Sequence, residues 1–326
     1  MKNDGLVVLS NKTGERFARR VAEYASGKYV GTERRGHPDG EPYLHVMETI
    51  RGADVFYICP YYPNPMERHT ENLLMVDAIK HASPGSLTVV PTYLGFMRSD
   101  WKDKSRVPIA SRVVAETLEA AGADRILTMH LHARQIQGMF RIPMDVLESL
   151  DVLKEWVQEL GYAGDNLVAV SPDAGGTKYA ESGAGVIAAK DLGMIWKRRI
   201  TGDDVDSHHF AGDVEGKVVI MPDDQLSTGT SLRKGAKRLK EMHKALKVYG
   251  FATHGIFAPS KGQPSEELLM EDRYLDGIVV TDTIPRPDEW IEKYKGKIEV
   301  RSVVNNFGEA IKRIHGNEGL SDLFQY

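Results

Sequence analysis

Short apolar runs alternate with amphipathic segments along the whole of this 326-residue chain, and that rhythm leaves few folds open. An apolar run of strand length suits a strand buried on both faces, and an intervening helix lets the next strand lie parallel to it. In the first half the runs are LVVL (6–9), DVFYIC (54–59), LTVVPTYLG (87–95) and RILTMHLH (125–132). Between them, Phe17, Val21 and Tyr24 follow Thr13 at helical spacing, and ENLLMVDAIKHAS (71–83) and IASRVVAETLEAAG (109–122) read as helices. The second half repeats the rhythm with NLVAVSPD (166–173), MIWKRR (194–199), VVIMPDD (218–224), YGFATHGIF (249–257) and GIVVTD (277–282). The expectation is an α/β chain of mostly parallel sheets flanked by helices, long enough for two domains. The boundary falls near residues 143–160, where a helix over LESLDVLKEWVQEL bridges the halves.

Charge and composition exclude several function classes. Lys and Arg total 42 against 46 Asp and Glu, a formal charge of −4, which gives no support to a nucleic-acid or anionic-membrane surface. Hydrophobic residues at 41% and charged residues at 27% match a soluble globular protein. Cys59 is the only cysteine, so no intrachain disulfide forms and a reducing cytosol fits. The start, MKNDGLVVLSNKTGERF, lacks the apolar core of a signal peptide, and no later run spans a bilayer. A cytoplasmic location is expected.

Candidate chemistry concentrates where apolar runs end. VVIMPDDQLSTGTS (218–231) is a strand, two adjacent acids and a hydroxyl-rich turn, and the basic periodic segment after it opens a helix. Such a turn aims backbone N–H groups and the positive end of a helix dipole at one spot, which suits a phosphate. Gly229 allows close backbone approach, and Thr228, Thr230 and Ser231 add hydroxyl donors. Asp223 and Asp224 would repel a phosphate, so they suit sugar hydroxyls or a metal. Together these residues read as a sugar-phosphate pocket. The alternative is a capped helix with Asp223 and Asp224 as turn residues, and the segment alone does not choose between them.

Five further segments extend this picture. In MHLHARQIQGMF (129–140), His130 and His132 are two apart and share a face if the strand continues, as metal ligands or as packed strand-end histidines. In SPDAGGTKYA (171–180), Asp173 suits a magnesium ion carrying nucleotide phosphate, or an Asx-turn capping the next helix. Lys197 and Arg199 share a face of an extended segment ahead of a long polar stretch, placed to clamp a charged transition state, although basic triplets are commonly solvated surface. GHPDGEPYLH (36–45) carries Asp39 and Glu41 on a turn able to read an exocyclic amine. GFMRSDWKDKSRVPI (95–109) offers Arg98 and Lys102 to phosphates. Surface hairpins share this composition.

In this order, PDGEPYLH, ENLLMVDAIKHAS, GFMRSDWKDKSRVPI, LHARQIQGMFRIP, SPDAGG, KRR, GDVEGK, PDDQLSTGTS, ATHGIF and VVTDTIP resemble ribose-phosphate pyrophosphokinases, the phosphoribosyl pyrophosphate (PRPP) synthetases. The resemblance covers nearly the whole chain. It implies two phosphoribosyltransferase-like domains, residues 1–146 and 147–299, with the C-terminal helix (about residues 300–326) returning to the first. It also implies transfer of the β,γ-diphosphate of ATP to the anomeric hydroxyl of ribose 5-phosphate, dependence on Mg²⁺, and a homo-oligomer between dimer and hexamer. Carried over by position, His37, Asp39, Glu41, Arg98, Ser99, Asp100 and Lys102 would bind ATP, and His132 and Asp173 would bind metal. Asp173, Asp223, Asp224, Ser227, Thr228, Gly229, Thr230 and Ser231 would bind ribose phosphate, with Lys197 and Arg199 catalytic.

The chain departs from the family pattern at several of these positions. His37 replaces an aromatic residue, His130 an aspartate and Ser227 the third acid of the pyrophosphate loop, while Ser99 and Trp101 alter the usual Arg-Gln-Asp-Arg-Lys. Gln225 and Leu226 stand at two usually bulky apolar positions. These changes keep open a larger acceptor such as ADP-ribose. Retention of Lys197, Arg199, Asp173, His132, Asp223 and Asp224 argues against a non-catalytic regulatory homologue.

Overall fold

The computed structural model describes residues 5–173, 175–198 and 207–323. They fall into two units, one from 1–148, 283–285 and 302–325 and the other from 149–282 and 286–301.

The first unit is built on β1 (Leu6–Ser10), α1 (Glu15–Tyr24), β2 (Lys28–Tyr29), the hairpin β3 (Thr32–Gly36) and β4 (Pro42–Val46), β5 (Asp54–Ile58), α2 (Pro65–His81), β6 (Ser86–Val90), α3 (Ala110–Ala121), β7 (Arg125–Met129) and β8 (Met144–Leu147). Six strands form one sheet in the order β2-β1-β5-β6-β7-β8, every pairing parallel. Central strands are buried on both faces because helices cover the sheet, so LVVLS and DVFYI read as continuous apolar runs. The β3–β4 hairpin stands apart as a two-stranded antiparallel sheet. Arg34 of β3 anchors it to α2 through Glu67 at 3.2 Å and Glu71 at 3.6 Å.

The second unit comprises α4 (Leu150–Glu159), β9 (Gly164–Ser171), α5 (Thr177–Val186), β10 (Ala189–Arg198), β11 (Ser207–Ala211), β12 (Val218–Leu226), α6 (Thr230–His243), β13 (Lys247–Gly255), α7 (Ser265–Met270), β14 (Gly277–Thr281), α8 (Asp288–Tyr294) and β15 (Ile298–Arg301). Its sheet runs β11-β10-β9-β12-β13-β14-β15, parallel except where β11 pairs antiparallel with β10. Val168, Val170, Val219, Leu239, Val248 and Ile278 lie in its core. The long polar stretch beyond Arg199 is partly strand, since residues 207–211 return along β10. The helix expected from residue 147 begins at Leu150, because Leu147 is still in β8.

The last helix, α9 (Val304–Gly316), rejoins the first unit. Phe307 meets Phe17 of α1 edge-on at 5.5 Å. His315 Nδ1 lies 2.7 Å from Asp54 at the start of β5. A Cβ at Gly308 would stand 2.5 Å from the Tyr24 ring, so glycine lets α1 and α9 approach this closely.

Candidate active site

In the second unit β12 continues through both acids to Leu226, two residues beyond the expected strand end. Asp223 and Asp224 are therefore strand residues rather than turn residues. Asp223 pairs in register with Ala252 of β13, and its Oδ1 accepts the Asp224 N–H at 2.9 Å. Gln225 Nε2 donates to Asp224 Oδ2 at 3.1 Å, so the polar side chain gained at position 225 rests on the acid pair.

Asp173 follows β9, next to β12 in the sheet, and accepts the Gly176 N–H at 3.0 Å as an Asx-type turn into α5. Ser171 Oγ donates to the Asp173 carbonyl at 2.6 Å and stiffens that turn. The point where a Gly176 Cβ would sit lies 3.8 Å from a carboxylate oxygen of Asp173 and 3.8 Å from one of Asp223. Adjacent strand ends thus bring two separately expected acids to one place, with Gly176 leaving the space between them open. Pro172, Met221, Leu226 and Phe251 line the small cavity at Asp223, so the carboxylate is partly buried among apolar side chains. That burial, with Asp224 and then Asp173 adding like charge, pushes the Asp223 carboxyl well above the ordinary aspartate range.

The hydroxyl-rich turn follows directly. Ile256 and Phe257 both donate to Leu226 O, and Ala258 donates to Ser227 O at 3.0 Å, which fixes the end of β12. Gly229 is buried, has φ +69° and caps α6. A Cβ there would lie 2.9 Å from Leu269 of α7, so both the backbone angle and the packing demand glycine. Thr228 and Thr230 hydroxyls meet at 3.0 Å beside the open first turn of α6. Its leading N–H groups lack intrahelical acceptors and form a cradle for an anion.

Lys197 lies in β10, its backbone in register with His208 of β11, while the preceding Trp196 stacks on His209 at 5.6 Å. Arg199 lies outside the described residues.

In the first unit His37, Asp39 and Glu41 are exposed at the hairpin tip. The turn closes on itself: His37 N–H donates to Glu41 O at 2.8 Å, and Asp39 accepts the Glu41 N–H at 3.1 Å. Arg98 and Lys102 are exposed on the loop after β6. Ser99 is a structural anchor there, since its carbonyl receives the Ser111 N–H at 3.2 Å and the Ser111 hydroxyl at 3.1 Å at the start of α3. Asp100 accepts from Gln135 at 2.9 Å, which joins this loop to the segment after His132. Gln135 was present in the QIQG motif, but nothing in the sequence indicated its partner.

The expectation that His130 and His132 share a strand face is overturned. The strand ends at Met129, and His130 turns the chain with φ +43°. His132 is exposed just beyond. Among the described residues no three His, Cys, Asp or Glu side chains are grouped to hold a metal ion. No helix among them is long and apolar enough to cross a membrane.

A family model for the N-terminal domain of ribose phosphate pyrophosphokinase matches residues 6–122, and one for a phosphoribosyl synthetase-associated domain matches residues 204–325. The ribose-phosphate pyrophosphokinase of Fusobacterium nucleatum is 37% identical over 97% of this chain and 97% of its own length. That of Thermotoga maritima is 37% identical over 98% of both chains. The crystal structure of phosphoribosylpyrophosphate synthetase from Mycobacterium smegmatis superposes with a TM-score of 0.87 at 30% identity, covering 96% of this chain and 99% of that one.

Proposed function

This chain belongs to the ribose-phosphate pyrophosphokinase family, and from that premise we propose that it transfers the β,γ-diphosphate of ATP to the anomeric hydroxyl of ribose 5-phosphate, releasing AMP. The observation that carries the reading is the end of β12, where paired acids meet Asp173 and lead within a few residues into the Gly229 cradle. Thr228 to Ser231 receive the 5-phosphate, and Asp223 and Asp224 accept hydrogen bonds from the ribose hydroxyls. The hairpin tip at His37, Asp39 and Glu41 reads adenine, while Arg98 and Lys102 neutralise the triphosphate. Lys197 and Arg199 stabilise the diphosphoryl group as it moves. Such transfer asks mainly for positioning and charge neutralisation.

The donor set fits a hard divalent cation. Asp223 and Asp173 concentrate carboxylate oxygens, and their mutual repulsion contributes to the raised Asp223 pKa. Magnesium would screen the phosphate charges, with His132 a ligand for one ion and Asp173 for a second or for the ribose side. A cytosolic homo-oligomer completes the proposal, and sedimentation velocity measures the assembly.

The test is an AMP-release assay with ATP, Mg²⁺ and either ribose 5-phosphate or ADP-ribose, the PRPP product identified by ³¹P NMR. AMP and PRPP formed with ribose 5-phosphate support the reading. Turnover with ADP-ribose alone moves it to the larger acceptor, and no turnover with either defeats it. The cradle has its own prediction. Gly229→Ala forces an L-residue into φ +69° against Leu269, so KM for ribose 5-phosphate should rise by about ten-fold or more while KM for ATP changes little. Equal loss toward both substrates would argue against a phosphate cradle.

A further inference from the structure

β7 and β8 end in register, Met129 opposite Leu147, so the next residues of each strand emerge side by side. Those residues are His130 and Glu148. The His130 ring nitrogen Nδ1 lies 2.6 Å from Glu148 Oε2, with the two side chains only 9% and 10% exposed. The His130 N–H also donates to Leu147 O at 2.8 Å. Arg134 approaches the other Glu148 oxygen at 3.7 Å. Positive φ at a bulky residue is uncommon and persists where surrounding contacts enforce it. Here the enforcing contacts are a side-chain bond and a backbone bond to the same neighbouring strand end. Beyond the turn, Leu131 and Ile136 are buried, and Gln135 reaches Asp100. The exposed His132 therefore sits on a short arch pinned at both ends.

Resting on the function proposed above, we infer that His130 is a positioning residue: its bond to Glu148 sets the direction in which the arch presents His132 and Arg134 to the nucleotide phosphates. His130 itself faces the protein rather than the ligand. Two variants separate this from a direct role. Asparagine tolerates positive φ and its amide can donate to Glu148 from a similar position, so His130→Asn keeps the clamp while removing the imidazole. Aspartate tolerates the same backbone but sets a second carboxylate against Glu148, and adding Glu148→Gln restores a donor and an acceptor across the pair.

The experiment measures steady-state kinetics, half-saturating Mg²⁺ and mass-spectrometric amide exchange over residues 129–140. For His130→Asn we expect kcat and KM for ATP within about three-fold of the parent. For His130→Asp, KM for ATP should rise about ten-fold and exchange should accelerate, with His130→Asp/Glu148→Gln recovering most of both changes. Half-saturating Mg²⁺ should stay constant throughout. A folded His130→Asn protein with ten-fold lower kcat or weakened Mg²⁺ dependence would overturn the inference, as would a double variant no better than the single one. Exchange is read whether or not the parent turns over ribose 5-phosphate, so failure of the clamp and failure of the proposed reaction give different results.

Discussion

Asp223→Asn is expected to make the protein more stable at neutral pH and much less active. The native carboxyl is partly buried beside Asp224 and Asp173, and its pKa is raised well above the ordinary value, with burial first and the neighbouring acids second as causes. A carboxyl with a native pKa above its unfolded value binds its proton more tightly in the folded state. Its contribution favours folding at low pH and turns against folding as pH climbs from about 4 through the raised native value. Asparagine removes that cost only where the aspartate would be charged. The apparent Tm should rise by about 2–6 °C at pH 8 and change little at pH 4. The same change deletes a charged acceptor for a ribose hydroxyl, so kcat/KM for ribose 5-phosphate should fall about 10- to 100-fold. Differential scanning calorimetry at the two pH values, with kinetics on the same samples, checks both halves. A destabilised variant at pH 8 would mean that Asp223 is compensated in the native state.

Lys197→Ala should lower kcat by about 10²- to 10⁴-fold while leaving KM for ATP nearly unchanged, as expected for a cation that acts on charge developing in flight. The Lys197 backbone is held extended by its pairing with His208 of β11, so truncation of the side chain leaves the strand intact. Trp196 and His209 supply packing that the substitution does not touch. Comparable losses in ATP affinity and turnover would identify Lys197 as a ground-state binding residue instead.

The periodicities of the sequence showed the architecture because buried parallel strands are apolar without interruption. LVVL, DVFYIC and VVIMPDD all fall on central strands. The end of VVIMPDD was less legible: Asp223 to Gln225 look like turn residues by composition, yet β12 runs through them and β13 pairs with Asp223 and Gln225. Short polar strands such as β3, β4 and β11 carried no comparable signal. Asp173, Asp223 and Asp224 could be named from chemistry, but the meeting of Asp173 with Asp223 around Gly176 depends on β9 lying beside β12. Glu148 was invisible as a partner for His130, since only the shared end of β7 and β8 brings them together. His130 itself misled, because alternation along a strand assumes the strand continues.

The return of α9 to α1 has a consequence for how the chain is made. Phe307 and Gly308 complete packing begun at Phe17 and Tyr24, nearly three hundred residues earlier on the messenger. A ribosome releasing this polypeptide has emitted every strand of the second unit before the first can be closed, reversing the usual order in which amino-terminal domains mature first. Until then the nascent amino-terminal half carries an uncovered apolar seam, and a chaperone that shields such seams would find its client here.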